Sequence, residues 1–216
     1  SAVEGVQAQT RLLWRALESL GIPTLLVVNK VDRLGCDIEG VVRQLREECS
    51  PRLLATQQVE RPGTGQCQIL ESPGFWEDAL AAAAEYDDAL AEAFLEERPV
   101  DRDSLLASLR KGVADRQVFP LLFASAKLGR GIPELLRGIT QWLPFAPDRE
   151  EEPLSAVVFQ VDHDPAMGKA AHLRVFAGSL KNRDSVPLPR GEGEQKVTQI
   201  RRFHGQKSQD IGVIHC

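Results

Sequence analysis

Two short runs carry side chains able to read a nucleobase. Asn29-Lys30-Val31-Asp32 follows the apolar run Thr24-Leu25-Leu26-Val27-Val28, and Ser125-Ala126-Lys127 follows the run from Val118 to Ala124. A carboxylate at Asp32 can accept hydrogen bonds from both the ring N1–H and the exocyclic 2-amino group of guanine, whereas adenine offers no such pair of donors on that edge. A site built on a specific hydrogen bond can reject the analogue lacking it by roughly 10⁴-fold, so one well-held Asp suffices to choose the base. Asn29 is suited to tying the two loops together. Lys30 can lay its methylene stem over the base or ribose while its ammonium stays in water, the backbone N–H of Ala126 can donate to guanine O6, and Lys127 can cover the other face. Both runs end predicted strands, and in an open parallel α/β sheet the carboxyl edge of the strands is where ligands bind. The plain structural alternative is a loop whose Asp caps a helix.

Phosphate-binding chemistry is not evident in the same residues. The only Gly-Lys pair is Gly168-Lys169, and five positions before Gly168 stands His163, so these residues contain no Gly-x-x-x-x-Gly-Lys-Ser/Thr loop to cradle phosphates or to place a hydroxyl on Mg²⁺. Asp32 to Gly35 matches Asp-x-x-Gly, but that Asp is already committed to the base. No catalytic residue and no metal ligand is therefore assigned within the chain. Cys36, Cys49, Cys67 and Cys216 show no Cys-x-x-Cys spacing, and His163, His172, His204 and His215 lack close metal spacing, so ordinary thiols and surface or strand histidines are expected.

The elements that must position these loops follow from periodicity. Val6, Leu13, Leu17 and Leu20 predict an amphipathic helix from Gly5 to Leu20, stopped by Gly21 and Pro23, that feeds the strand beginning at Thr24. Asp37 can cap a second helix to about Glu48, with Ile38, Val41, Val42 and Leu45 along one side. Strand-like pieces at Leu53 to Val59 and Gln66 to Leu70, separated by Pro62-Gly63-Thr64-Gly65, predict a hairpin. An Ala-rich helical stretch from Phe75 to Glu97, with a break near Tyr86-Asp87-Asp88, precedes a helix from Asp101 or Asp103 to Arg116. Val118 to Ala124 returns to a buried strand, with Pro120 tolerable near its start or on an edge, and Gly131 to Leu143 is the next amphipathic helix. Pro144, Pro147 and Asp148-Arg149-Glu150-Glu151-Glu152-Pro153 mark a linker. Beyond it, Ala156 to Val161, Ala171 to Phe176 and Lys196 to Arg202 alternate apolar with polar residues, with turns at Asp164-Pro165, Gly178 and Gly191, which is the pattern of an all-β module.

Composition narrows the class. The 216 residues, 43% hydrophobic, are enough for one large or two small cores. No apolar run approaches the roughly 20 residues of a membrane helix, and Ser1-Ala2-Val3-Glu4-Gly5 lacks the basic and apolar regions of a signal peptide, so a cytoplasmic location is expected. The net charge of −5 is unevenly spread: residues 153–216 hold 9 Lys and Arg against 6 Asp and Glu, leaving 17 against 25 before them. The last third is thus the part suited to face nucleic acid, although a solvated basic surface reads the same way.

In this order of elements the chain resembles a translational GTPase of the elongation factor G type, most closely the ribosomal protection proteins of tetracycline resistance. The resemblance is carried by Ser1-Ala2-Val3-Glu4-Gly5-Val6-Gln7-Ala8-Gln9-Thr10, Gly21-Ile22-Pro23-Thr24, Asn29-Lys30-Val31-Asp32, Tyr86-Asp87-Asp88, Ser125-Ala126-Lys127 with Gly131-Ile132, and Gly178-Ser179-Leu180 with Arg183-Asp184-Ser185-Val186. It implies an α/β fold: a partial P-loop-NTPase-like GTPase domain over residues 1–147, its parallel sheet flanked by helices, with an α/β insert at about 52–117 and the phosphate-loop half missing. A linker at 148–153 and an incomplete all-β translation-factor barrel at 154–216 follow. It further implies that full-length relatives bind GTP and GDP with Mg²⁺, hydrolyse GTP on the ribosome, and set the second-domain barrel against the small subunit. The guanine-binding residues are then Asn29, Lys30, Asp32, Ser125, Ala126 and Lys127. The chain is expected to supply guanine-base recognition to a ribosome-associated GTPase and to be inactive as a GTPase itself; the alternatives are a non-catalytic guanine-nucleotide and ribosomal RNA binding module, or an elongation factor G proper acting in translocation. With only two complete parallel strands, Thr24 to Asn29 and Val118 to Ala124, the unpaired sheet edge is expected to drive self-association.

Overall fold

Alternation along one strand organises the first half of the chain. In the computed structural model, which describes residues 1–145, 148–164, 168–187, 193–205 and 207–216, strand β5 (Phe119–Ala124) runs between β1 (Leu26–Asn29) and β2 (Leu53–Ala55), parallel to both. Successive side chains of a strand point to opposite faces. Phe119, Leu121 and Phe123 accordingly join Trp14 of α1 (Ala8–Ser19) and Val41 and Leu45 of α2 (Ile38–Glu48) in one core. Leu54 belongs to a second core with Phe75 and Ala79 of α3 (Phe75–Ala84), Leu90 of α4 (Asp88–Leu95), Leu105 and Leu109 of α5 (Arg102–Ala114) and Trp142 of α6 (Ile132–Trp142). The result is a parallel sheet with helices on both faces.

Local chemistry sets most boundaries. Asp37, Asp87 and Asp101 each accept a hydrogen bond from the backbone N–H three residues on, capping α2, α4 and α5. Asp101 rather than Asp103 thus starts α5, and Asp87 divides the Ala-rich stretch into α3 and α4. Pro120 sits in the central strand, not on an edge. In a parallel ladder the backbone groups of alternate residues face opposite neighbours. Phe119 N–H and Leu121 C=O face the β2 side, bonding Arg52 C=O and Thr56 N–H, so Pro120 faces β1, whose pairing begins only at Leu26 opposite Leu121. Its missing donor has no strand partner to lose.

The sheet has three strands where periodicity gave two, because Leu53–Ala55 leaves the predicted hairpin to pair with β5. The hairpin is built from what remains, β3 (Gln57–Glu60) antiparallel to β4 (Gln68–Glu71). Helix α1 buries Trp14 against Phe119, their rings edge to face with centroids 4.9 Å apart, while Leu13 and Leu20 stay exposed. Of the predicted apolar set, Val6 is buried and Leu17 half-buried, but the stripe centres on Trp14 instead of on Leu13 and Leu20.

The chain divides into two compact units, Ser1–Phe145 and Ala146–Cys216. In the second, the described strands pair antiparallel two by two: β6 (Ser155–Asp164) with β7 (Gly168–Ala177), β8 (Ser179–Lys181) with β13 (Val213–His215), β9 (Ser185–Pro187) with β10 (Glu194–Lys196), and β11 (Arg201–His204) with β12 (Lys207–Asp210). The predicted strand Lys196 to Arg202 is split. Val197 exchanges backbone bonds with Arg183 and Asp184, and Ile200 N–H donates to Asn182 Oδ1 at 2.6 Å, so the segment is held by a turn instead of a ladder. Among the described residues of this unit, Val175, Ala177, Leu180 and Ile200 are the buried apolar side chains. The predicted turn residues Pro147, Pro165 and Gly191 lie outside the described residues.

Candidate guanine-base site

Because β1 and β5 are parallel neighbours with Asn29 opposite Ala124, the two loops leave the sheet side by side at its carboxyl edge. Asn29 Oδ1 accepts from the backbone N–H of Lys30 at 2.7 Å and of Ala126 at 3.0 Å, which bridges the loops with one side chain. A second bridge runs from Ser125 Oγ, which donates to Asp32 Oδ1 at 2.6 Å and accepts from Leu128 N–H at 3.3 Å. Ser125 is fully buried. Its hydroxyl is the chief cause holding the Asp32 carboxyl below the usual aspartate range; partial desolvation opposes it, and the charges of Lys127 and Arg33 assist. Asp32 is therefore ionised at neutral pH. Lys127 is exposed beside it.

The backbone around these groups is held in uncommon conformations. Lys30 has a φ of 69°, in the left-handed region that non-glycine residues seldom adopt. The second loop closes through reciprocal backbone bonds between Ser125 and Arg130, with Gly131 at a φ of 74°. A Cβ at Gly131 would lie 2.3 Å from Phe123 C=O, so only glycine lets the loop return this close to β5.

Supporting residues come from segments whose pattern signalled only structure. Where β2 has ended, Gln57 Oε1 accepts from Phe123 N–H at 2.9 Å and replaces the missing strand. The hairpin turn reaches the first loop through Gly63 N–H to Val31 C=O at 2.8 Å, and the second through the Arg130 guanidinium bonded to Cys67 C=O. At the other side Ala2 donates to Asn29 C=O and accepts from Asp37 N–H, both at 2.8 Å. Lys30 Nζ meets Glu4 Oε1 at 2.8 Å, and that bond, followed by one from Ser1 Oγ, lowers the Glu4 carboxyl to about 2. Gln57 and Arg130 have no motif spacing by which sequence could single them out, and Glu4 lies in the Ser1 to Thr10 phrase that carries the resemblance without a role being assigned to it.

The arrangement thus brings Asn29, Lys30, Asp32, Ser125, Ala126 and Lys127 together. Among the described residues, Asp32 Oδ2 and Asn29 Nδ2 have no hydrogen-bond partner, leaving an acceptor and a donor open at the sheet edge. Ala126 N–H, in contrast, is engaged by Asn29 and would have to be shared with a ligand oxygen.

The elongation factor Tu GTP binding domain matches residues 1–145. The chain belongs to that family. Among its relatives are the oxytetracycline resistance protein of Streptomyces rimosus, 38% identical over 92% of this chain and 31% of that protein, and the tetracycline resistance protein TetW of Butyrivibrio fibrisolvens, 32% identical over 93% of this chain and 31% of that protein. Elongation factor G of Salinibacter ruber is 26% identical over 100% of this chain and 38% of its own length. A crystal structure of a protein from Thermus thermophilus superposes with a TM-score of 0.79 at 26% identity, covering 99% of this chain and 36% of that one. The chain spans about a third of the length of these relatives. Membership in the elongation factor Tu GTP-binding family implies guanine-nucleotide binding. No helix among the described residues is long and apolar enough to cross a membrane.

Proposed function

We propose that Asn29, Lys30, Asp32, Ser125, Ala126 and Lys127 recognise the guanine base of GTP and GDP on behalf of a ribosome-associated GTPase. The observation that carries this reading is the Asp32 carboxylate, pinned through Oδ1 by a buried serine while Oδ2 stays open. The N1–H and 2-amino group of guanine supply two donors to it, and Asn29 Nδ2 offers a donor to the base on the same edge. Mg²⁺ and the phosphates would be held by groups outside these six residues. We assign residues 1–147 to the GTP-binding domain, 148–153 to a linker and 154–216 to part of a second-domain β-barrel facing ribosomal RNA and protein in the cytoplasm.

The decisive test is Asp32→Asn in the full-length protein. Xanthine carries a carbonyl where guanine has its 2-amino donor, which an amide can satisfy, so affinity should pass from guanosine to xanthosine nucleotides. Unchanged preference would remove Asp32 from the site.

Between the two kinds of relative, drug protection is favoured over translocation by the higher identity to the resistance proteins. Expression of the full-length protein should then raise the tetracycline concentration that arrests growth. The 216 residues on their own should turn over no GTP, because phosphoryl transfer depends on phosphate and metal ligands that the six base-reading residues do not provide. Sedimentation at high protein concentration tests the remaining expectation, association through the open edge of β1.

A further inference from the structure

The first turn of the chain ends at the recognition lysine. Its geometry is not that of an ordinary surface ion pair, in which two long side chains lose entropy to meet and little is gained. Glu4 and Lys30 are each about two-fifths exposed, but both are held from behind. On the Glu4 side, Gly5 N–H closes a turn on Ser1 C=O at 2.9 Å, Gly5 takes a φ of 70°, and Val6 N–H donates to Gln44 Oε1 of α2 at 2.9 Å. Ser1 Oγ donates to the second carboxylate oxygen of Glu4. On the Lys30 side, the left-handed backbone and the Lys30 N–H bond to Asn29 Oδ1 fix where the side chain leaves the loop. Ala2 joins the two, since it is buried and bonded to both Asn29 C=O and Asp37 N–H. The turn and the loop are therefore registered to each other before the ion pair forms, and the pair costs little further ordering.

We propose that Glu4 is a positioning residue for guanine binding, acting through Lys30: it holds the ammonium at the edge of the site so that the aliphatic stem is set in advance as a wall for the base and ribose. The inference rests on the base-reading proposal above. Without Glu4 the stem samples several rotamers, and binding must select one of them.

Glu4→Gln, Lys30→Ala and the double variant, compared by titration of the full-length protein with fluorescent GDP and with guanosine, test this as a cycle. Glu4→Gln should weaken both ligands by roughly two- to fivefold, the span expected for an exposed charged contact. It should weaken neither further once Lys30 is alanine. Losses that add in the double variant, or a Glu4→Gln protein that binds like the parent, overturn the role of Glu4. A carbon-detected NMR titration gives a readout independent of ligand: the Glu4 carboxyl should titrate near 2 in the parent and rise towards the ordinary 4.5 in Lys30→Ala. A Glu4 titration unchanged by Lys30→Ala also overturns it. Asp32→Asn separates the two proposals. If base preference is unmoved by that substitution the base reading fails, whereas a shifted preference with an additive cycle rejects Glu4 alone.

Discussion

Replacing Gln57 with leucine should loosen the sheet at the point where it supports both loops. Gln57 and Phe123 are buried, and the glutamine Oε1 is the acceptor for Phe123 N–H where β2 no longer runs alongside β5. Leucine fills a similar volume but accepts no hydrogen bond, so the cost is that of leaving one buried amide unsatisfied, about 1–3 kcal/mol. The three tryptophans, Trp14, Trp76 and Trp142, all lie in the first unit, so fluorescence-monitored urea unfolding reports on that unit alone. With a slope of about 2 kcal/mol per molar urea, a loss of about 2 kcal/mol moves the midpoint down by about 1 M with the slope unchanged. Because Phe123 lies two residues before Ser125, guanosine nucleotide affinity should fall as well, while preference over xanthosine nucleotides is kept. A midpoint within error of the parent's would refute the argument, since it would mean that the amide finds another partner and that Gln57 bears no part of the sheet edge.

Gly131→Ala should destabilise the first unit by about 2 kcal/mol or more, because alanine resists the left-handed backbone and its Cβ would press on Phe123 C=O; the same urea titration measures it. Val31→Ala removes two buried methyl groups beneath the first loop and should cost about 2 kcal/mol in that titration, again with base preference retained. Since the Ser125 hydroxyl lowers the Asp32 pKa from the ordinary 3.8, the contribution of this carboxylate is fully present above 3.8 and is lost only as pH falls through its lowered folded value. Guanosine binding followed by fluorescence should therefore hold level from about pH 8 to pH 5. In Ser125→Ala the decline should begin at a higher pH.

The parts of this molecule that could be read from sequence are those whose physics is local. Apolar runs gave β1 and β5, Asp37 gave the start of α2, and Pro62-Gly63-Thr64-Gly65 gave the β3–β4 hairpin, since each depends on residues within one turn or strand. The convergence of Asn29 with Ser125 was legible because two strands of one parallel sheet must deliver their loops to the same edge. What could not be read is decided by partners distant in sequence. Leu53–Ala55 became a third parallel strand because β5 offered it a second edge, and α1 buried Trp14 rather than Leu13 because Phe119 stood opposite. Glu4, Gln57, Cys67 and Arg130 support the loops through single bonds to groups 26 to 66 residues away. No periodicity encodes such a contact.

The residue between the two motif side chains explains why the first loop can present them at all. Val31 is fully buried; its N–H donates to Ala124 C=O at 3.3 Å, and its C=O accepts from Gly63 N–H at 2.8 Å and from the Cys36 thiol at 3.4 Å. It is thus bonded to β5, to the hairpin turn and to its own loop at once. With Val31 turned inward, Lys30 and Asp32 on either side are directed outward, one to Glu4 and the other to Ser125. On the base-reading proposal, the carboxylate then meets its ligand without rearrangement of the backbone, and binding energy is not diverted into ordering it. The residue that the Asn-Lys-x-Asp pattern leaves unspecified is in this protein the anchor for the two beside it.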